Sequence, residues 1–236
     1  MIRAFVNAVT LLILCLAAGR ALAGDAAVPN MLGFSPSGHY AAFEEYGRQD
    51  GSGFAYATIT IVNTRTDQWV GTPFRVVIEN ERSIGLVEAR EAARAAAAGE
   101  LARLQILDRG YRVSTTARGP DTLAFVEDGL GYVILEVEDL PVGAACAYED
   151  RETVGYRLAL REGSGGGLID VWHADTSVPA SRGCPWTYDL AEVHALPRPG
   201  QGPVLVAVLA YDRKGFEGPD RRHLIVARTY DEALRR

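Results

Sequence analysis

Val204-Leu205-Val206-Ala207-Val208-Leu209 is a run of six apolar residues without a polar interruption. A run of that length predicts a central β-strand covered on both faces. Working outward, His223–Ala227 follows it as a candidate strand. Tyr188–His194, Leu168–His173, Thr153–Arg161, Tyr132–Glu138, Thr122–Glu127 and Tyr111–Thr116 precede it. Between two of these, Gly163 to Gly167 places four glycines around Ser164. It reads as a hairpin loop, since no Lys-Ser/Thr follows to make it a phosphate cradle.

The N-terminal part is also β in pattern. Tyr56 to Val62 alternates Ala57, Ile59 and Ile61 against Tyr56, Thr58 and Thr60, the period of a half-buried strand. Ser35-Pro36-Ser37-Gly38 is a turn before the strand His39–Tyr46. Arg48 to Gly53 is a polar, glycine-rich loop, Asn63 to Asp67 a turn, and Gln68–Val70 and Phe74–Ile78 short strands. Only residues 86–107 have helix composition, with four consecutive alanines at 95–98. Gly99 is expected to kink or break that helix, and Gly110 to stop it. The fold class is therefore mainly β with one long helix (α+β), built of antiparallel sheets, sandwich-like or partial-propeller-like. We expect one domain over residues 24–236.

The N-terminus reads as a secretory leader. Arg3 precedes an apolar run from Ala4 to Ala18, and Ala21-Leu22-Ala23 fits the small-x-small cleavage pattern. The run is short of the ~20 apolar residues that span a bilayer. Residues 1–23 are thus expected to be removed, leaving 213 residues beginning at Gly24, no stable membrane anchor, and a periplasmic or secreted location. Arg3 and Arg20 leave with the leader, so 22 basic residues face 30 acidic ones, a net charge of −8. An acidic chain without a basic tract is a poor match to nucleic acid. Cys15 also leaves with the leader. Cys146 and Cys184 remain, and in an oxidising compartment they are expected to form a disulfide.

Phe34-Ser35-Pro36-Ser37-Gly38-His39-Tyr40-Ala41-Ala42-Phe43 is similar to the opening of a blade in periplasmic TolB-like propeller repeats. One copy is present, where a propeller needs about four blades. Three other stretches carry a broader resemblance: Phe43-Glu44-Glu45-Tyr46-Gly47 with Gln49-Asp50-Gly51-Ser52-Gly53, Ser181-Arg182-Gly183-Cys184-Pro185, and Gly215-Phe216-Glu217-Gly218-Pro219-Asp220-Arg221-Arg222. With them the chain, from about residue 32 to 227, resembles a family of predicted secreted bacterial proteins of unknown function. That resemblance implies export and a shared fold, and brings no catalytic residues.

Three clusters are candidates for chemistry. Glu44, Asp50 and Ser52 flank or occupy the acidic loop, which is expected to suit calcium if it holds any metal, although the spacing is not that of an EF-hand. Glu44 and Glu45 point to opposite faces of a strand, so only one can join a given site. Glu217, Asp220, Arg221 and Arg222 are expected either to grip an anionic ligand or to pin a hairpin internally. This loop and the one at 47–53 are expected side by side on one edge. His173 and Asp175 share a strand face, as an acid/base pair or half a metal site. No G-x-S-x-G or H-E-x-x-H motif is present. The leading expectation is a periplasmic binding or interaction module without catalysis, its partner an envelope protein or small ligand. The alternatives are an envelope hydrolase using Glu44 or Glu217 as acid, and a calcium-stabilised structural protein.

Overall fold

The computed structural model describes residues 24–79, 85–107, 110–113, 116–119, 122–127, 131–145, 152–163 and 166–230. The expected leader, residues 1–23, and Cys146 lie outside the described residues. The described residues form three antiparallel sheets and one α-helix. The first sheet holds β1(Val28–Phe34), β2(Tyr40–Arg48), β3(Ala55–Asn63) and β4(Gln68–Trp69), with β5(Phe74–Ile78) also paired to β3. The second runs β11(Leu168–Ala174), β10(Glu152–Glu162), β9(Gly131–Ala145), β8(Thr122–Glu127), β7(Thr116–Gly119). The third runs β14(Pro219–Thr229), β13(Val204–Lys214), β12(Pro185–Leu196), β6(Tyr111–Arg112). The helix α1 spans Gly85–Arg103.

The apolar run at 204–209 sits in β13, between β12 and β14, and all six residues are 0% exposed. Its two faces meet different layers. Val204 and Val206 pack with Phe34, Ala41 and Val62 of the first sheet. Leu205, Ala207 and Leu209 pack with Leu135, Leu158 and Leu160 of the second. Each fully buried Val or Leu contributes about 1.5–3 kcal/mol of transfer free energy. The third sheet is therefore the central layer, and it packs face to face with the second, the sandwich-like of the two arrangements expected from the sequence.

The strand Tyr56–Val62 is covered on both faces rather than one. Ala57, Ile59 and Ile61 turn toward α1, while Val62 faces β13. The helix lies on this sheet through Ala89, Ala93 and Ala97, all 0% exposed and stacked at i,i+4 against Ala55, Ala57 and Ile59. Small residues on both sides let the helix approach closely, so the thin apolar face of its alanine tract is what the packing needs. Gly99 does not break the helix: nothing lies within 4 Å of where its Cβ would stand. The stop comes at Arg103, before Gly110. Gln105 turns left-handed (φ 54), Ile106 N–H bonds the Leu101 carbonyl and Gln105 N–H the Ala102 carbonyl. These are the two hydrogen bonds of a Schellman cap, and Ile106 and Leu101 share one apolar cluster beside it.

The propeller-like segment is a hairpin turn. Ser35 Oγ accepts from Tyr40 N–H at 3.1 Å, Ser37 Oγ from His39 N–H at 3.3 Å, and Gly38 takes φ 72. Those bonds make a tight β1–β2 connection in any antiparallel sheet. The sheets here are layered face to face and one is covered by a helix, so the TolB-like likeness does not extend to the fold.

Candidate functional site

Glu44 lies mid-way along β2 with its side chain 0% exposed. Arg90 grips it with two bonds, Nε to Oε1 at 3.1 Å and Nη2 to Oε2 at 2.8 Å. Arg94 and Asn30 each add a bond to Oε2 at 2.8 Å. Arg90 also stacks 3.7 Å from the Tyr46 ring centroid. Burial alone raises the Glu44 pKa. The hydrogen bonds from Arg90, Arg94 and Asn30 outweigh it, and the net direction is down. This carboxylate is thus a clamp between α1 and the first sheet, unsuited to the roles of metal ligand or general acid.

Asp50 and Ser52 are elsewhere, beyond four residues of strand at about 3.3 Å each. Ser52 Oγ donates to Gln49 Oε1 at 3.0 Å and accepts from Phe54 N–H, closing the β2–β3 hairpin. Asp50 Oδ2 accepts from Glu217 N–H at 2.6 Å. A Cβ on Gly51 would stand 3.1 Å from the Phe216 ring. The two loops do lie side by side, as their sequences suggest, but Glu44 does not join them. Among the described residues no group of three or more His, Cys, Asp and Glu side chains is placed to hold a metal ion.

In the β13–β14 hairpin, Phe216 and Glu217 are exposed at the tip. Glu217 therefore faces solvent at the hairpin tip. The charged residues behind the tip are committed to one another. Arg221 reaches across its own sheet to Asp212 at 3.0 Å and to Asp189. Arg222 Nη2 holds Asp25 Oδ2 at 2.6 Å and Asp220 Oδ2 at 3.0 Å, and its Nη1 holds the Asp25 carbonyl at 3.0 Å. Asp25 also accepts from Tyr56 Oη at 3.2 Å. Burial raises the Asp25 pKa more than the Arg222 charge lowers it.

The chain at 25–27 runs along the β14 edge, bridged in parallel at Ala26 and Arg221. A Cβ on Gly24 would meet the Pro219 carbonyl at 1.9 Å, so glycine alone fits there. Asp220, Arg221 and Arg222 thus anchor the N-terminal segment and the hairpin, the pinned alternative of the two expected.

A groove opens between the first and third sheets. Phe43, Glu45, Thr58, Thr60, Trp69, His223, Leu224 and Ile225 line a cavity of about 100 Å³. Strand alternation sends Glu45, the neighbour of the helix-facing Glu44, into it. Its Oε2 accepts from the His223 backbone N–H and sits 3.3 Å from His223 Nδ1. Thr58 Oγ1 is buried and finds no partner among the described residues. Trp69 stands at the mouth, 60% exposed. The alternation of Tyr56–Val62 placed Thr58 and Thr60 on one face. Nothing in the sequence linked them to His223, far along the chain.

The profile of the family described as "Predicted secreted protein (DUF2259)" matches residues 42–228. The chain belongs to that family. The match spans β3, the helix, the second sheet and nearly all of the third, so the groove and both arginines of the hairpin fall inside it. No curated protein and no solved structure matches the chain. The family is one of predicted secreted proteins, and no helix among the described residues is long and apolar enough to cross a membrane.

In this DUF2259 member His173 and Asp175 meet as their shared strand face suggests, Nε2 to Oδ1 at 2.8 Å. The pair is part of a larger cluster. Arg182 Nη1 and the Tyr156 N–H hold the other Asp175 oxygen at 2.5 and 3.0 Å, and the His173 ring stacks on Tyr156. Burial raises the Asp175 pKa, the bonds from His173 and Arg182 more than reverse it, and the acid stays ionised. The arrangement ties the 175–182 segment to β10.

Proposed function

We propose that this protein is a periplasmic binding module and that its ligand sits in the inter-sheet groove at Trp69. The ligand class is an uncharged polyhydroxylated molecule, a sugar or short glycan. The single observation that carries this is Thr58 Oγ1, a buried hydroxyl without a partner inside a groove that also offers a carboxylate and an imidazole. A buried unmet hydroxyl costs about 1–3 kcal/mol, which a ligand hydroxyl would recover. Trp69 supplies the flat aromatic face on which a sugar ring packs, while Glu45 and Thr60 supply further acceptors. Calorimetric titration of the protein with a panel of envelope mono- and oligosaccharides is the direct test. At least one sugar is expected to bind, with affinity reduced tenfold or more in Trp69→Ala and severalfold in Thr58→Val. A panel without binders, or binding indifferent to Trp69→Ala, overturns the proposal.

Export and the disulfide belong to the same proposal. Cys184 leads directly into β12. Its expected partner Cys146 lies outside the described residues. Alkylation of the unfolded, unreduced protein is expected to add no label. Reduction is expected to lower stability by about 3–4 kcal/mol, the chain entropy of a loop of about 40 residues. Two labelled thiols would remove the bridge.

A further inference from the structure

A second cavity, of about 290 Å³, opens at the other edge of the seam between the first and third sheets. Pro29, Met31, Gly110, Arg112, Glu192 and His194 are among the residues that line it. None of them borders the groove at Trp69, whose walls come from β2, β3, β4 and β14. We propose that this cavity binds the free carboxyl end of an acylated peptide, with the terminal carboxylate on Arg112 and the last peptide N–H on His194.

The site is laid out by strand pairing. His194 in β12 stands opposite Arg112 in β6, so both side chains leave the same face of the sheet. Glu192, two residues before His194, shares that face. Gly110 (φ 58) lets the chain come this close to β12: a Cβ there would stand 2.3 Å from the Ala195 carbonyl. Glu192 joins the other two side chains. Its Oε2 lies 2.8 Å from His194 Nε2 and its Oε1 lies 3.2 Å from Arg112 Nη1. The bond from His194 lowers the Glu192 pKa more than burial raises it, and the Arg112 charge adds to the lowering. An ionised carboxylate only accepts, so Nε2 donates, and the neutral imidazole carries its lone pair on Nδ1. Nδ1 has no partner among the described residues, although the His194 side chain is only 10% exposed. A ligand donor would satisfy that acceptor.

Arg112 supplies the charge. Its Nη1 faces Glu192, which leaves the Nε–Nη2 fork without a partner among the described residues. The same fork is the edge with which Arg90 grips Glu44 and Arg228 grips Asp170 in this molecule. The Arg112 side chain is 64% exposed, so its fork is free to turn onto a carboxylate arriving from solvent. Glu192 balances the guanidinium in the empty site, and the ligand adds its charge on the opposite edge. A carboxylate and an N–H donor one atom either side of a single Cα are what the last residue of a peptide presents. Pro29 and Met31 add apolar surface for its side chain, and the thioether of Met31 adapts to more than one shape. The small volume suits a chain end rather than a folded partner. β1 is the edge of its sheet, so the rest of an extended peptide leaves along it.

The test is calorimetric titration of the mature protein with N-acetyl-L-alanyl-L-alanine and with its D,D form, each beside its C-terminal amide. At least one acid is expected to bind, and its amide at least tenfold more weakly. Arg112→Gln is expected to weaken the acid tenfold or more, with the fold unchanged because the side chain stands at the surface. His194 is followed in the parent protein, since removing a buried ring could unfold the sheet: the nitrogen resonance of its Nδ1 is expected to move on binding. The L,L acid stands for a protein C-terminus and the D,D acid for a cell-wall peptide, and Arg112-dependent binding of either supports the site. Trp69→Ala is expected to leave this binding intact, so the site and the groove fail separately. Equal affinity for acid and amide, an affinity unchanged in Arg112→Gln, or an Nδ1 resonance that does not move overturns the proposal. So does the absence of heat with both acids.

Discussion

Arg222→Ala is expected to lower the stability of the mature protein by about 3–5 kcal/mol, the loss seen when one member of a buried ion pair is removed. The Arg222 side chain is 13% exposed and lies between Asp25 at 0% and Asp220 at 11%. Removing it leaves two carboxylates facing one another beside the Tyr56 hydroxyl. At about 2–4 °C per kcal/mol for a chain of this size, the melting temperature falls by roughly 10 °C. Arg221→Ala is the control. That side chain is 36% exposed and its partners Asp189 and Asp212 are about a third exposed, so its loss is expected to cost less than about 1 kcal/mol.

The pH dependence carries a sign. Asp25 already has a raised pKa, and without the Arg222 charge it rises further. An acid whose folded pKa exceeds its unfolded value loses stability as pH climbs through that window. Arg222→Ala should therefore differ most from the parent above the window and least in acid. A chain beginning at Ala27 removes Asp25 altogether, and its effect should overlap with that of Arg222→Ala rather than add to it. Urea unfolding of the parent, Arg222→Ala, Arg221→Ala, the shortened chain and the shortened chain carrying Arg222→Ala, at two pH values, decides all of this. An additive double effect would show that the N-terminal segment and the hairpin are held separately.

The central strand was legible because its signal is local: six apolar residues in a row need two covers wherever they fall. So was the loop pair at 47–53 and 215–222, since hairpin tips of one composition tend to one edge. The role of the arginines was not. Asp25 sits nearly two hundred residues from Arg222, and no spacing rule reaches that far. The helix shows a subtler limit. Its alanine tract offers little apolar bulk, and a sequence pattern that scores side-chain size cannot see that Ala55 and Ala57 opposite are equally small. Glu44 was misread for the same reason. An acid next to an acidic loop suggests calcium until Arg90 and Arg94, one helical turn apart, are found on the layer above it.

Glu44→Ala is expected to cost about 3–5 kcal/mol, because Arg90 and Arg94 then lie against an apolar seam without the charge they surround. Glu44→Gln keeps an acceptor for both and should cost less. Arg94→Ala, 46% exposed, should cost under about 1 kcal/mol, and Arg90→Ala more, since it also loses the contact with Tyr46. The folded pKa of Glu44 lies below its unfolded value. Its contribution is thus present above about pH 4.5 and lost as pH falls through the folded value, so Glu44→Gln and the parent should converge in acid. Amide exchange in α1, measured alongside denaturant unfolding, separates local undocking of the helix from global loss. A last comparison asks what the clamp is for. Replacing Glu44 by Leu and both arginines by Met together removes the buried charge and its desolvation. If that triple variant is as stable as the parent while each single change is damaging, the ionic clamp sets where the helix sits rather than how tightly. At the centre of the seam the helix presents only Ala89, Ala93 and Ala97, whose small side chains do little to fix its register, so a polar clamp has a role to play there.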